Sequence, residues 1–93
     1  AICAGTVAAA RAGLLDSRRH TSNALDFMRH YTPGYRAWDL YVDTPAAVRD
    51  GTLVTAAGSA PVTFTIEVLG ALHPERADSL AEFRAMCAAE LAG

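Results

Sequence analysis

Apolar positions along the chain fall in short blocks separated by glycine, proline and charged residues. The first block, Ala4 to Ala12, is alanine-rich and stops at Gly13, which predicts a helix closed by glycine. GLLDSRR (13–19) then reads as a turn carrying the apolar pair Leu14 and Leu15, and RHTS (19–22) as a short extended segment. Asn23 can cap a second helix, Ala24 to Tyr31, whose apolar content is Leu25, Phe27 and Met28. Thr32-Pro33-Gly34 is a turn, and Leu40 to Val42 reads as a strand.

The clearest local signal is AAVRDGTLVTAA, in which two β-prone runs flank Asp50-Gly51, a preferred dipeptide of two-residue hairpin turns. Gly58 to Pro61 punctuates again. The next stretch supports two readings. Val62, Phe64, Ile66 and Val68 alternate with polar partners, which favours a strand. Ser59 followed by Pro61 resembles a helix start, and apolar content runs on to Leu72, beyond ordinary strand length. The tail is simpler. Ser79-x-x-Glu82 is a capping box, and Leu80, Phe83, Cys87 and Leu91 share one helical stripe.

Composition narrows the class. The chain has 93 residues and is 52% hydrophobic, too apolar for a disordered segment and short enough for one small domain or a part of one. The net charge is −2 and the eight basic residues are scattered arginines, so no nucleic-acid-binding surface is expected. No apolar run reaches the roughly 18 residues of a membrane span. No basic region precedes an apolar one, so no signal peptide is expected and a reducing cytoplasm is the expected compartment. The two cysteines, Cys3 and Cys87, have neither CxxC nor Cys/His spacing. They predict no disulfide framework, no metal site and no cofactor.

Cys3 is the residue of chemical interest. A nucleophile elbow sets the reactive side chain on a sharp turn between strand and helix, and its flanking residues must be small because helix and strand come close. Ala1-Ile2-Cys3-Ala4-Gly5 meets that demand, and the alanine-rich run supplies the helix. A helix N-terminus favours a thiolate seated there, and the N–H groups of Cys3 and Ala4 are candidate oxyanion donors. Read by pattern alone, the same residues also suit an inert buried cysteine.

AICAGTVAAARAGLLDSRRHTSN resembles the segment around the reactive cysteine of the ThiJ/PfpI superfamily, relatives of class I glutamine amidotransferases. The pattern there is Ala, Ile or Val, then Cys-x-Gly, an alanine- and leucine-rich helix, and AGLLDGRRxT; Gly13-Leu14-Leu15-Asp16 and Arg18-Arg19 match it. VRDGTLVTAAGSAPVTFTIEVLGAL resembles the closing hairpin and helix, most closely in the bacterial intracellular protease/amidase-like branch. The similarity runs from residue 1 to about residue 72 and leaves residues 74–93 as an added tail helix. It implies an α/β, flavodoxin-like sandwich, a parallel sheet flanked by helices, with an elbow over residues 1–13. It also implies that Pro61 to Leu72 is a helix, with Phe64 and Leu69 packed on the sheet.

The departures from the family pattern are informative. Protease-like members place His directly after the cysteine, where this chain has Ala4. Others place His at the end of the following strand, where this chain has Asn23, an amide that can orient a substrate or a thiolate but cannot act as a base. Tyr35, followed by Arg36, is a further substrate-positioning candidate by this resemblance. The leading parallel strands and a thiol-contacting glutamate lie outside residues 1–93. The expectation is therefore the C-terminal half of a domain of roughly 180 to 200 residues, partnered by its own N-terminal half and forming a homodimer. Function reads as a cysteine-dependent hydrolase or amidase acting on a small substrate. The alternatives are a redox or stress protein whose Cys3 is oxidised, and a binding module that retains the elbow as a relic. His20, His30, His73 and Cys87 read as structural, and Gly58 as a turn beside the pocket.

Overall fold

The computed structural model describes residues 1–92, and side chains as far as residue 88. The element order is α1 (Gly5–Arg11), α2 (Leu25–Tyr31), a 3-10 turn (Ala37–Leu40), β1 (Val48–Asp50), β2 (Leu53–Thr55), α3 (Pro61–Leu72), a second 3-10 turn (Pro74–Arg76) and α4 (Ala77–Ala92). The expected position of Leu91 on the α4 stripe, and the end of the tail at Gly93, lie outside these described features.

Alanines carry α1, and glycine ends it. Gly13 has a φ of 79°, which only a residue without a Cβ adopts freely. Its N–H donates to Ala10 O at 3.0 Å and the Leu14 N–H donates to Ala9 O at 3.0 Å. This pairing satisfies two orphan carbonyls of the last turn. The chain then delivers Leu15 into the core and leaves Leu14 exposed. Leu15 and Met28 are fully buried and pack with Ala9, and Val7, Phe27, Tyr35, Tyr41 and Leu53 surround them. Trp38, in contrast to Tyr35 and Tyr41, stands 54% exposed.

The hairpin forms one residue later than the Asp50-Gly51 signal suggests. Asp50 pairs with Leu53, so Gly51-Thr52 is the two-residue turn, and Gly51 takes a φ of 62°. This antiparallel pair is the one named sheet among the described residues. The expected parallel sheet is limited there to two isolated parallel bridges, Ile2 with Ala56 and His20 with Tyr41. The expected strand at 40–42 contributes only the second bridge, because Leu40 still belongs to the 3-10 turn.

Pro61 to Leu72 is a helix, α3, with Pro61 at its first turn, where the missing N–H costs nothing. The alternation in the sequence misleads because this helix is apolar around most of its circumference. Its buried residue is Ile66; Phe64 is half-buried and Leu69 is exposed, so the expected packing pair is corrected to Ile66. The Thr63 hydroxyl accepts the Ala47 N–H at 2.9 Å and ties α3 to the approach of the hairpin. The expected capping box does not form: α4 already begins at Ala77 as a continuation of the Pro74–Arg76 turn, so Ser79 is inside the helix.

Candidate functional site

Ala1 to Cys3 lies beside β2 in a short parallel ladder. The Ala1 main-chain nitrogen donates to Val54 O at 2.6 Å, the Ala56 N–H to Ala1 O at 3.1 Å, and the Cys3 N–H to Ala56 O at 3.0 Å. The chain then reverses within two residues: the Gly5 N–H donates to Ile2 O at 2.9 Å and the Thr6 N–H to Cys3 O at 3.1 Å. Cys3 sits at the bend with a φ of 54°, and among the described residues it is the non-glycine residue in that region. A side chain in this conformation costs of order 1–3 kcal/mol and persists only where its surroundings enforce it. A Cβ on Gly5 would meet the Ala1 Cβ at 3.8 Å, an ordinary packing contact between the two flanks of the cysteine.

Two groups close on the thiol. The Asn23 Nδ2 donates to Cys3 Sγ at 3.5 Å, and the Gly58 N–H donates to Asn23 Oδ1 at 2.8 Å. The second bond fixes which way the amide faces, leaving its N–H₂ end toward sulfur. This use of Asn23 corrects its expected role as a helix cap: Ala24 occupies that position, and no side chain caps α2. Gly58 lies in the expected turn, closed by the Ala60 N–H donating to Ala57 O at 3.0 Å, and it also packs on the thiol, since a Cβ there would lie 3.1 Å from Cys3 Sγ.

The Cys3 N–H is engaged in the ladder with Ala56, so it is not free as an oxyanion donor. The Ala4 N–H has no acceptor among the described residues and is the one donor of the expected pair left at the elbow. Tyr35 is also placed differently from its expected role. Its hydroxyl is 2.5 Å from His20 Nε2 and 3.3 Å from Ala37 O, both interior partners. His20 is fully buried, its Nδ1 lies 2.7 Å from Arg18 O, and Tyr35 and Tyr41 approach its ring edge-on. Since the carbonyl must accept, Nδ1 carries a proton and donates to Arg18 O. Burial pushes the Tyr35 phenol up to about 12, with Tyr41 and Asp39 acting in the same direction.

Sequence reasoning missed Thr6 and Ser22. Both are buried, and their hydroxyls meet at 2.7 Å directly beneath the bend. The available signal was Thr6 itself, the single polar residue between Gly5 and Arg11. Beside Asn23, a cleft of about 380 Å³ is lined by Asp26, Trp38, Tyr41 and Asp43. No histidine or carboxylate hydrogen-bonds to Cys3 Sγ among the described residues. No group of three His, Cys, Asp or Glu that could hold a metal occurs there, and no helix is long and apolar enough to cross a membrane.

The chain is similar to several known proteins. The sequence model of the DJ-1/PfpI family matches residues 1–71. The uncharacterized protease YoaZ of Bacillus subtilis (strain 168) is 46% identical over 80 residues, which are 86% of this chain and 38% of that protein. The uncharacterized protease YdeA of the same organism is 39% identical over 69 residues, 74% of this chain and 34% of that protein. The crystal structure of the DJ-1 superfamily protein Atu0886 from Agrobacterium tumefaciens superposes with a TM-score of 0.76 at 44% identity, covering 91% of this chain and 46% of that one. The chain thus spans less than half the length of each of these relatives.

Proposed function

This chain belongs to the DJ-1/PfpI family, and from that premise we propose that it carries the nucleophilic thiol of a cysteine-dependent hydrolase, of amidase or protease-like type, acting on a small substrate. The observation that carries the reading is Cys3 itself, held at a φ of 54° between the Asn23 amide and the Gly58 backbone. A strained cysteine presented at a strand-to-helix bend is the geometry acyl transfer needs.

In this reading the Cys3 thiolate attacks the substrate carbonyl carbon, and the Ala4 N–H donates to the oxygen that becomes negative. Asn23 orients sulfur and substrate. The leaving group needs a proton from an acid, which an amide cannot supply, so that acid comes from the remainder of the domain. The chain acts as the C-terminal half of a flavodoxin-like sandwich, completed by the N-terminal half, in a homodimeric cytoplasmic protein. The relatives named as uncharacterized proteases support the hydrolase class. Replacing Cys3 with alanine in the intact protein tests the reading: turnover of small amides, esters or glyoxals should vanish, and turnover equal to wild type would overturn it.

One observation favours a second reading. With Ala4 and Asn23 where family members carry histidine, the thiol lacks an adjacent base. Cys3 then serves as a redox thiol, oxidised by peroxide to the sulfinate. Mass spectrometry after mild peroxide treatment separates the two: Cys3 gaining two oxygens while Cys87 stays reduced supports it, and equal oxidation of both counts against it.

A further inference from the structure

The bend at Cys3 is disfavoured for a residue with a Cβ, so something must hold it there. The Cys3 carbonyl accepts two bonds from one residue, the Thr6 N–H at 3.1 Å and the Thr6 hydroxyl at 2.7 Å. A threonine hydroxyl has one proton. With that proton committed to the carbonyl, the 2.7 Å contact between Thr6 and Ser22 must run from the Ser22 hydroxyl to the Thr6 oxygen. Met28 Sδ, at 3.5 Å from the same hydroxyl, is the weaker acceptor. Thr6 is 0% exposed and Ser22 2%, so neither hydroxyl has water as an alternative. Ser22 is anchored in turn, its carbonyl accepting the Tyr41 hydroxyl at 3.2 Å. The next residue, Asn23, is the one that reaches the thiol. Two adjacent residues therefore fix the cysteine twice, through its backbone by way of Ser22 and Thr6, and through its sulfur by way of Asn23.

We propose that the Thr6–Ser22 hydroxyl pair is a positioning device that keeps Cys3 in its left-handed conformation and so keeps Sγ against Asn23. The inference rests on the reading of Cys3 as the working thiol. Without the relay, Cys3 relaxes toward an ordinary negative φ and its sulfur swings away from the amide.

The test is the ratio of Cys3 to Cys87 alkylation by iodoacetamide in the intact protein, read by peptide mass spectrometry, with Cys87 as reference on the same chain. Thr6→Val keeps the shape and removes the hydroxyl; the ratio should fall about fivefold to tenfold, the worth of one hydrogen bond. Thr6→Ser keeps the hydroxyl and should restore the ratio to near wild type. An unchanged ratio in Thr6→Val, or an equal fall in Thr6→Ser, overturns the proposal. Should Thr6→Val fail to fold by circular dichroism, Ser22→Ala decides, and a wild-type ratio in that folded variant overturns it. Alkylation needs no turnover, so this result stands or falls separately from the loss of activity expected of Cys3→Ala.

Discussion

Gly58 and the sulfur of Cys3 are close enough that one methyl group decides the site. A Cβ at residue 58 would sit 3.1 Å from Sγ and 3.3 Å from the Cys3 Cβ. Both contacts are with a side chain already held in a disfavoured conformation, so the thiol must move. Contacts at 3.1–3.3 Å demand a displacement of a few tenths of an ångström, less than the ångström that costs up to about 10²-fold in rate, and Gly58→Ala should lower Cys3 alkylation and any turnover by up to about 10-fold while the far-ultraviolet spectrum is retained. Wild-type reactivity in that variant would refute a tight thiol pocket. Tyr35 supports a different prediction. Its phenol is pushed up to about 12 in the fold, against 10.0 for an ordinary tyrosine. The folded state therefore keeps this proton while the unfolded state loses it. Stability falls as the pH rises from about 10 to about 12, and no dependence from this group exists below that window. Denaturant midpoints across alkaline pH should show the slope in the wild type and a shallower one in Tyr35→Phe. The site was legible at this scale where steric demand is written in residue size: Cys3 among Ala1, Ala4 and Gly5. The donors that hold it, Thr6 and Ser22, lie 16 residues apart and meet only in three dimensions.

At the scale of elements, α3 separates what periodicity can and cannot say. Val62, Phe64, Ile66 and Val68 alternate as a strand would, yet Pro61 has no N–H for a ladder and suits a first helical turn. The family resemblance assigned the helix; the packing face needed the structure. Ile66 is 7% exposed and Leu69 39%. Ile66→Ala should therefore cost about 2–4 kcal/mol in denaturant unfolding, as core truncations do. Leu69→Ala should cost less than about 1 kcal/mol, as exposed substitutions do. Equal losses would mean that Leu69 is covered in the working protein. The same lesson holds for the hairpin, whose existence followed from aspartate and glycine but whose register moved by one residue to put Gly51 at the first turn position. It holds again for Asn23, whose cap signal is real in sequence but whose side chain is taken by Gly58 and Cys3.

The whole molecule is thin and open for its mass. Its extents are 41 × 30 × 18 Å and its radius of gyration is 13.9 Å, where a compact chain of this length has about 12 Å. Its accessible surface is 5900 Å², against about 5,200 Å² for a folded monomer of this mass. Large apolar side chains stand in solvent, among them Leu14 at 56%, Trp38 at 54% and Leu72 at 67%. Among the described residues, Leu15 and Met28 are the large apolar side chains that are fully buried. Exposed apolar surface of this kind, beside two isolated parallel bridges, is what the proposed half-domain reading expects a second layer to cover. The half-domain reading comes from the resemblance alone, because composition, at 52% hydrophobic, is compatible with a complete small core. Residues 1–93 expressed alone should therefore melt without a cooperative transition and bind a hydrophobic dye at neutral pH. On the proposed half-domain reading, co-expression with the N-terminal half should give one sharp transition and abolish dye binding, because that layer would bury the same leucines and pair the same edges. A sharp calorimetric transition from a monomer of residues 1–93, with calorimetric and van't Hoff enthalpies equal, would show instead that this thin fold closes its core without help.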